Sequence, residues 1–501
     1  MSAATERKRL FAPPLSVAHL WPLTVLLGIF AFLNTHPIRP HDFWWHAAVG
    51  REIVATGRIP SVDTFSFTAA GTPYPSYAMF WLPEVALYGL YTLGGPALVV
   101  FVHSVTVTLA YGLTLALVWK LSGSPRIAAA ATLFAAVLGI NDWNVRPQAA
   151  TFFLAPAFLW AIHEYRRRPR GALRTVFPLG MILWVNSHGS FPLGLLILGL
   201  WLVDEVWRRI REQPDPSVPA SLRASAWALG LAALAVLVNP RGPRVVSYLA
   251  TMSTDPVIQN MVPEWAPPTL DTGTGALFLI VLLLTAALLA LSSRRPSPLE
   301  LLSFLMFAAL GLKTVRGSIW FGLIAAPLWA VHLPAVFAGP ARVRVAPARS
   351  WLATGMGGAL VMLALVTLPW FKERLPLPPA KAGLISAETP VAATDFLLRE
   401  RPPGPLFHSM PFGSYLIWAA QPEYPVFVDS RIELYPVEVW MDYLHISAAG
   451  CGWEERLERY GIRTLMLSPR DQPALVAAAR ESPNWRLIYQ DEVAVIFTAA
   501  P

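Results

Sequence analysis

Long apolar runs alternate with short polar connections along this chain, and the runs have the length of membrane crossings. Eleven segments read as helical spans: 15–35, 96–119, 127–141, 147–164, 174–186, 190–207, 224–238, 275–292, 299–312, 317–335 and 351–370. Each approaches the roughly 20 residues that a bilayer core requires. Two connections are long. The first, 36–95, holds a stretch from Asp42 to Gly57 with the pattern of an amphipathic helix, closed by Gly57 and stopped by Pro60. A second stretch in it, Pro83 to Leu93, is apolar enough to lie along the membrane interface. The other long connection, Asn239 to Gly273, is rich in helix breakers.

Beyond the last run, Leu375-Pro-Leu-Pro-Pro379 reads as a stiff spacer, and the periodicity changes. Helix-like stretches at 391–400, 413–420, 437–446, 453–460 and 474–481 alternate with strand-like stretches at 405–409, 426–429, 464–467, 486–490 and 494–498. Such alternation predicts a small α/β unit. The fold class is therefore mainly α: a polytopic transmembrane helical bundle over 1–372, followed by a small C-terminal α/β domain over 386–501.

Composition agrees with a membrane protein. Hydrophobic residues make up 55% of the 501 and charged residues 14%, against about 25% charged in soluble domains. Mean hydropathy is +0.48. The net charge of +8 does not point to nucleic acid, because the arginines lie in short connections between apolar runs. Those of alternate connections, including Arg7-Lys8-Arg9, Arg166 to Arg170, Arg208, Arg294, Arg342 and Arg344, outnumber those of the intervening ones. By the positive-inside rule the N-terminus is inside and the C-terminus outside the cytoplasmic membrane, and the basic clusters meet anionic lipid headgroups. The N-terminal run lacks a small-residue cleavage site, which predicts a retained first helix. The lone Cys451 excludes an internal disulfide and reads as a small buried residue.

Residues suited to chemistry gather on the predicted outer side. In His41-Asp42-Phe43-Trp44-Trp45-His46 an acid lies between two imidazoles at the lip of the bilayer, where a carboxylate is costly without a task or a partner. Asp42 with His41 and His46 is the catalytic candidate: a base for an acceptor hydroxyl, or a ligand for a divalent cation, Mg or Mn. The plainer alternative is a helix N-cap with tryptophan anchors. Asp63 is a candidate ligand or a turn residue; Glu84 is a candidate ligand or a dipole-favoured first-turn acid. Arg146, Lys313 and Arg316, with Asn186 and His188, would suit a phosphate if they face one cavity. Glu264 and Trp265 suit a sugar through a hydrogen bond and ring stacking, or anchor the interface. In the tail, Asp429, Arg431 and Glu433 follow a strand, as binding residues or an internal brace. There is no phosphate loop, dinucleotide fingerprint, zinc spacing or nucleophile elbow.

These features resemble the GT-C class of membrane glycosyltransferases: an acid early in a long first outer loop, amphipathic helices along the membrane, many spans, and a soluble C-terminal domain outside. The chain is also similar to bacterial multi-span membrane proteins that carry Asp42-Phe-Trp-Trp-His46, Asp63-Thr-Phe-Ser66, Trp184-Val-Asn186-Ser-His188, Glu264-Trp265 and Asp429-Ser-Arg431-Ile-Glu433. The GT-C resemblance implies a catalytic Asp42, a sugar donor on a polyprenyl phosphate, and a glycan, lipid or protein acceptor. That class often carries adjacent acids where this chain has His41-Asp42. The competing functions are a lipid or glycan transporter or flippase, and a non-catalytic cell-envelope assembly factor.

Overall fold

The computed structural model describes residues 15–169, 171–211, 218–254, 262–337 and 349–500. The basic cluster Arg7-Lys8-Arg9 and residues Arg170, Arg342 and Arg344, used above for orientation, lie outside the described residues.

Helices occupy all eleven predicted runs: α1 (Val17–Asn34), the second half of α3 (Tyr77–Ser122), α4 (Pro125–Gly139), α5 (Leu154–Arg167), α6 (Val176–Val185), α7 (Pro192–Arg211), α8 (Val218–Ala235), α10 (Gly273–Leu291), α11 (Pro298–Lys313), α12 (Gly317–Val336) and α13 (Trp351–Val366). Among the described residues only α1, α3, α10 and α12 are both long and apolar enough to cross a bilayer unaided. The others are shorter or carry more charge, so length and composition by themselves mark four of the eleven predicted crossings.

The first loop forms α2 (Phe43–Thr56), closed by Gly57 at φ 68° as the sequence predicts. Asp42 itself has helical dihedrals and its side chain makes no capping bond, so the N-cap alternative is not realised. The predicted 83–93 helix is part of α3, which runs on through a break at Gly94 and Gly95. Helix α2 crosses α3 closely at Gly50, where a Cβ would lie 2.1 Å from the Glu84 carbonyl oxygen. Only a residue without a side chain fits that crossing.

In the tail, α14 (Val391–Glu400), α15 (Met410–Ala419), α16 (Val437–Ser447), α17 (Trp453–Arg459) and α18 (Pro473–Glu481) surround strands β1 (Leu406–His408), β2 (Thr464–Leu467), β3 (Trp485–Gln490) and β4 (Val495–Ala499). The sheet order is β1-β2-β4-β3, with β1 and β2 parallel and the rest antiparallel. The predicted strand at 426–429 does not join it. Its backbone is taken by the first loop instead: Val426 N–H donates to the Phe65 carbonyl at 3.0 Å, and Phe67 N–H to the Val426 carbonyl at 3.2 Å. Cys451 is exposed rather than buried.

The tail and the first loop share one core. Trp45, Phe65, Tyr74 and Tyr77 pack with Phe407, Leu416, Val428 and Tyr435. A second seam pairs Ile38 with Ile385. At the centre Arg431, fully buried, donates to both Asp429 oxygens at 2.9 and 2.6 Å and to Asp63 Oδ1 and the Tyr77 hydroxyl at 2.5 Å each. Its guanidinium lies among the rings of Trp45, Phe65 and Tyr74. Burial pushes the Asp429 carboxyl up, but Arg431 prevails and holds it below the usual range. Arg431→Met would leave two enclosed carboxylates uncompensated and is expected to cost about 3–5 kcal/mol of stability. The exposed Arg486→Met should change stability by less than about 0.5 kcal/mol. Denaturant unfolding followed by tryptophan fluorescence measures both.

Candidate active site

The end of the bundle that meets the first loop and the tail gathers a row of charges from four separate segments. Asp42, before α2, lies with Oδ2 3.6 Å from Nε of Arg146. Arg146, ahead of the short turn Pro147–Thr151, donates from both terminal nitrogens to the two Glu264 oxygens at 3.0 and 2.8 Å. Arg316, at the start of α12, donates from Nε to Glu264 Oε2 at 2.6 Å. Burial raises the Glu264 carboxyl, but its bonds to Arg146 and its proximity to both arginines outweigh this and hold it at about 2. Glu264 is therefore an anion already clasped by two guanidiniums. Asp42 makes the looser contact and keeps a quarter of its side chain exposed.

A cavity of about 330 Å³ opens beside this row. Arg316, Lys313, Trp265, His188 and Gln148 line it at one side; Met79, Phe80, Leu193, Leu249 and Leu310 give it an apolar wall. Arg316 stands over the Trp265 ring, 6.0 Å from its centroid. Gln148 turns a buried carbonyl oxygen that finds no hydrogen-bond partner among the described residues. His188 is held neutral, pushed down to about 3 by burial and by Arg316 and Arg146. Its Nδ1 accepts from the Ser190 N–H at 3.1 Å, which leaves the ring proton on Nε2 as a donor. Arg146 also lines a second, more apolar cavity of about 250 Å³ with Leu87, Val99 and Val102.

The predicted site residues thus divide into two groups. Asp42, Arg146, Glu264, Trp265, Arg316, Lys313 and His188 gather around the charge row and its cavity. His41 is half-buried beside Asp42. The rest are spent internally. His46 is enclosed, stacked on Trp45 at 3.5 Å, and bonded through Nδ1 to the equally enclosed Glu84 at 2.9 Å; burial pushes the imidazole far below its ordinary value. This pair pins α2 to α3 and offers no surface to a ligand. Asn186 accepts from the Trp81 indole at 2.8 Å and donates to the Ile182 and Val238 carbonyls, so it locks a turn. Asp63, Asp429 and Arg431 form the buried brace rather than an open tail-domain site. Glu433 accepts from Tyr74 at 2.7 Å and from Ser76 at 3.0 Å, joining the tail to the cavity wall at Tyr248, which also meets Ser76.

For a divalent cation the donor set is poor. Two guanidiniums already occupy Glu264 and one abuts Asp42, and no group of three ligating side chains gathers among the described residues.

One acid escaped the sequence reading. Asp142, in the turn Ile140–Asp142 after α4, is enclosed and feels Arg316, Glu264 and Arg146. Its polar turn, Asn141-Asp142-Trp143-Asn144, marks it only as an end-of-helix residue.

The same arrangement of bundle, first loop and tail occurs in solved structures. The archaeal oligosaccharyltransferase AglB from Archaeoglobus fulgidus, in complex with an inhibitory peptide and a dolichol-phosphate, superposes with a TM-score of 0.56 at 12% identity, covering 96% of this chain and 74% of that one. The arabinofuranosyltransferase AftD from Mycobacteria gives a TM-score of 0.53 at 14% identity, covering 98% of this chain and 40% of AftD. The fold is GT-C-like. No protein-family model and no curated protein matches the chain in sequence.

Burial raises the Asp142 carboxyl from 3.8 to about 7, against the pull of Arg316 and Arg146. The folded chain therefore holds this proton more tightly than the unfolded one, and the associated stability, present below about pH 4, is lost as pH rises through about 7. Melting temperatures of wild type and Asp142→Asn should diverge across pH 4–7, with wild type losing ground, and run parallel above it.

Proposed function

We propose that this chain is a membrane glycosyltransferase of the GT-C type. It moves a sugar from a polyprenyl-phosphate-linked donor to an acceptor on the outer face of the cytoplasmic membrane. The observation that carries the reading is the charge row beside an apolar cavity. A partly exposed carboxylate, Asp42, adjoins Arg146, and the same row runs through Glu264 to Arg316, which lines a cavity whose apolar wall suits an isoprenoid chain. The fold likeness to AglB, which binds a dolichol-phosphate, supports the donor class.

In this mechanism the isoprenoid chain lies along Met79, Phe80, Leu193 and Leu249, with its phosphate toward Lys313, Arg316 and Arg146. Asp42 takes the proton of the acceptor hydroxyl. The freed oxygen attacks the anomeric carbon as the bond from that carbon to the phosphate oxygen breaks. The electron pair leaves with the polyprenyl phosphate, and the arginines stabilise the charge that develops there. His188, neutral, donates from Nε2 to the sugar or phosphate, and Gln148 accepts from a sugar hydroxyl. The bundle of 1–372 carries the chemistry. The unit of 386–501, on the outer side, covers it and selects the acceptor.

Asp42→Asn and Asp42→Ala are expected to slow transfer by about 10²–10⁴-fold while leaving the fold intact, since the one charge contact Asp42 makes is the loose 3.6 Å approach to Arg146, which Glu264 holds independently. Arg316→Gln should also slow it. The assay is transfer from synthetic polyprenyl-phosphate sugars by the purified chain. The substrates come from mass spectrometry of lipid-linked sugars and surface glycans in a strain lacking the gene. Wild-type rates from the Asp42 variants would remove this residue from the mechanism.

A further inference from the structure

A second large cavity, about 980 Å³, lies at the opposite end of the bundle from the charge row, between α5, α7, α11 and α12. Its rim carries Arg166, Arg208, Arg211, Arg294 and Arg295, and its wall runs along the helices through Leu121, Ile162, Leu328 and Val331. Nothing in the proposed glycosyl transfer uses it.

The carboxylates beside it have internal commitments. Arg166 donates to Asp204 at 2.6 Å and to Glu205 at 2.7 Å. Asp204 also accepts the Leu299 N–H at 3.0 Å, and Glu205 the Trp201 indole at 2.9 Å. Glu300 accepts the Ser297 N–H at 2.7 Å as part of a helix cap and meets Arg294 at 3.3 Å. Among the described residues, five guanidiniums thus face three acids that already serve the fold, and Arg294, Arg295 and Arg211 are exposed. The surplus charge stands at the mouth of a pocket whose depth is hydrocarbon.

We infer that this cavity binds an anionic phospholipid. The phosphodiester would be held by Arg294 and Arg295 with Arg211, and an acyl chain would lie against Leu121, Leu328 and Val331. A single negative charge with two acceptor oxygens suits a guanidinium rim. The charge stands at the helix ends, the level of headgroups in a bilayer. The volume is about three times that of the 330 Å³ cavity and far exceeds what a free phosphate needs. This site is independent of the reading of Asp42.

The test uses the full chain in phosphatidylcholine nanodiscs with phosphatidylglycerol added, and native mass spectrometry counts the retained lipid. Wild type should retain at least one phosphatidylglycerol in preference to phosphatidylcholine. Arg294→Gln/Arg295→Gln should lower that retention tenfold or more. Arg39→Gln/Arg58→Gln, an equal charge change on exposed arginines at the other end, should leave it unaltered. Val331→Phe, which fills the wall without touching charge, should lower it too, with a monodisperse elution profile confirming folding. Equal retention by wild type and the Arg294/Arg295 variant, or equal loss in the Arg39/Arg58 variant, would overturn the inference. So would full displacement of the lipid by soluble glycerol phosphate, which would assign the rim to a free anion.

Discussion

The Arg431 brace is the contact on which the positions of the other functional groups depend. A guanidinium from the tail enters an aromatic enclosure built by the first loop and meets Asp63 there. Two charges this deeply enclosed are tolerable because all three nitrogens of the Arg431 guanidinium donate to Asp429, Asp63 or Tyr77. The reward is positional. The brace fixes the turn around Asp63, that turn fixes the core of Trp45 and Tyr77, and helix α2 between them presents Asp42 to Arg146. The tail and the first loop are thus one folding unit, although more than 350 residues separate Asp63 from Arg431.

The charge row follows a different electrostatic logic. Glu264 pre-assembles Arg146 and Arg316, whose mutual repulsion would otherwise spread them apart. In the proposed transfer, the donor phosphate would meet two guanidiniums already oriented, with the reorganisation completed during folding. The neutral His188 beside them adds a donor without adding charge. The apolar wall opposite keeps the local dielectric low, so each of these contacts counts for more than it would in water.

Much of this was legible in the sequence, and the failures share a cause. The apolar runs became helices because hydrophobic length is a local signal, and Gly57 ended α2 as a left-handed closure should. The tail strands 464–467, 486–490 and 494–498 were local too. What escaped depended on partners distant in the chain. The 426–429 stretch has strand-like composition, yet its hydrogen bonds go to Phe65 and Phe67. Glu84 and His46 each look like site residues, and only the α2–α3 crossing at Gly50 reveals that they consume one another. Asp142 gives no signal because two of the three charges around it, Glu264 and Arg316, come from loops more than a hundred residues away. Helices fill all eleven predicted runs, while length and composition alone mark four of them as crossings among the described residues.

Helix α3 continues from the Phe80 wall of the 330 Å³ cavity, through the Gly94–Gly95 break, into a membrane span. One helix thus carries both the Met79–Phe80 wall of the cavity and a stretch long and apolar enough to cross a bilayer, so two glycines rather than a loop join the pocket to the part of the chain that lipid would surround.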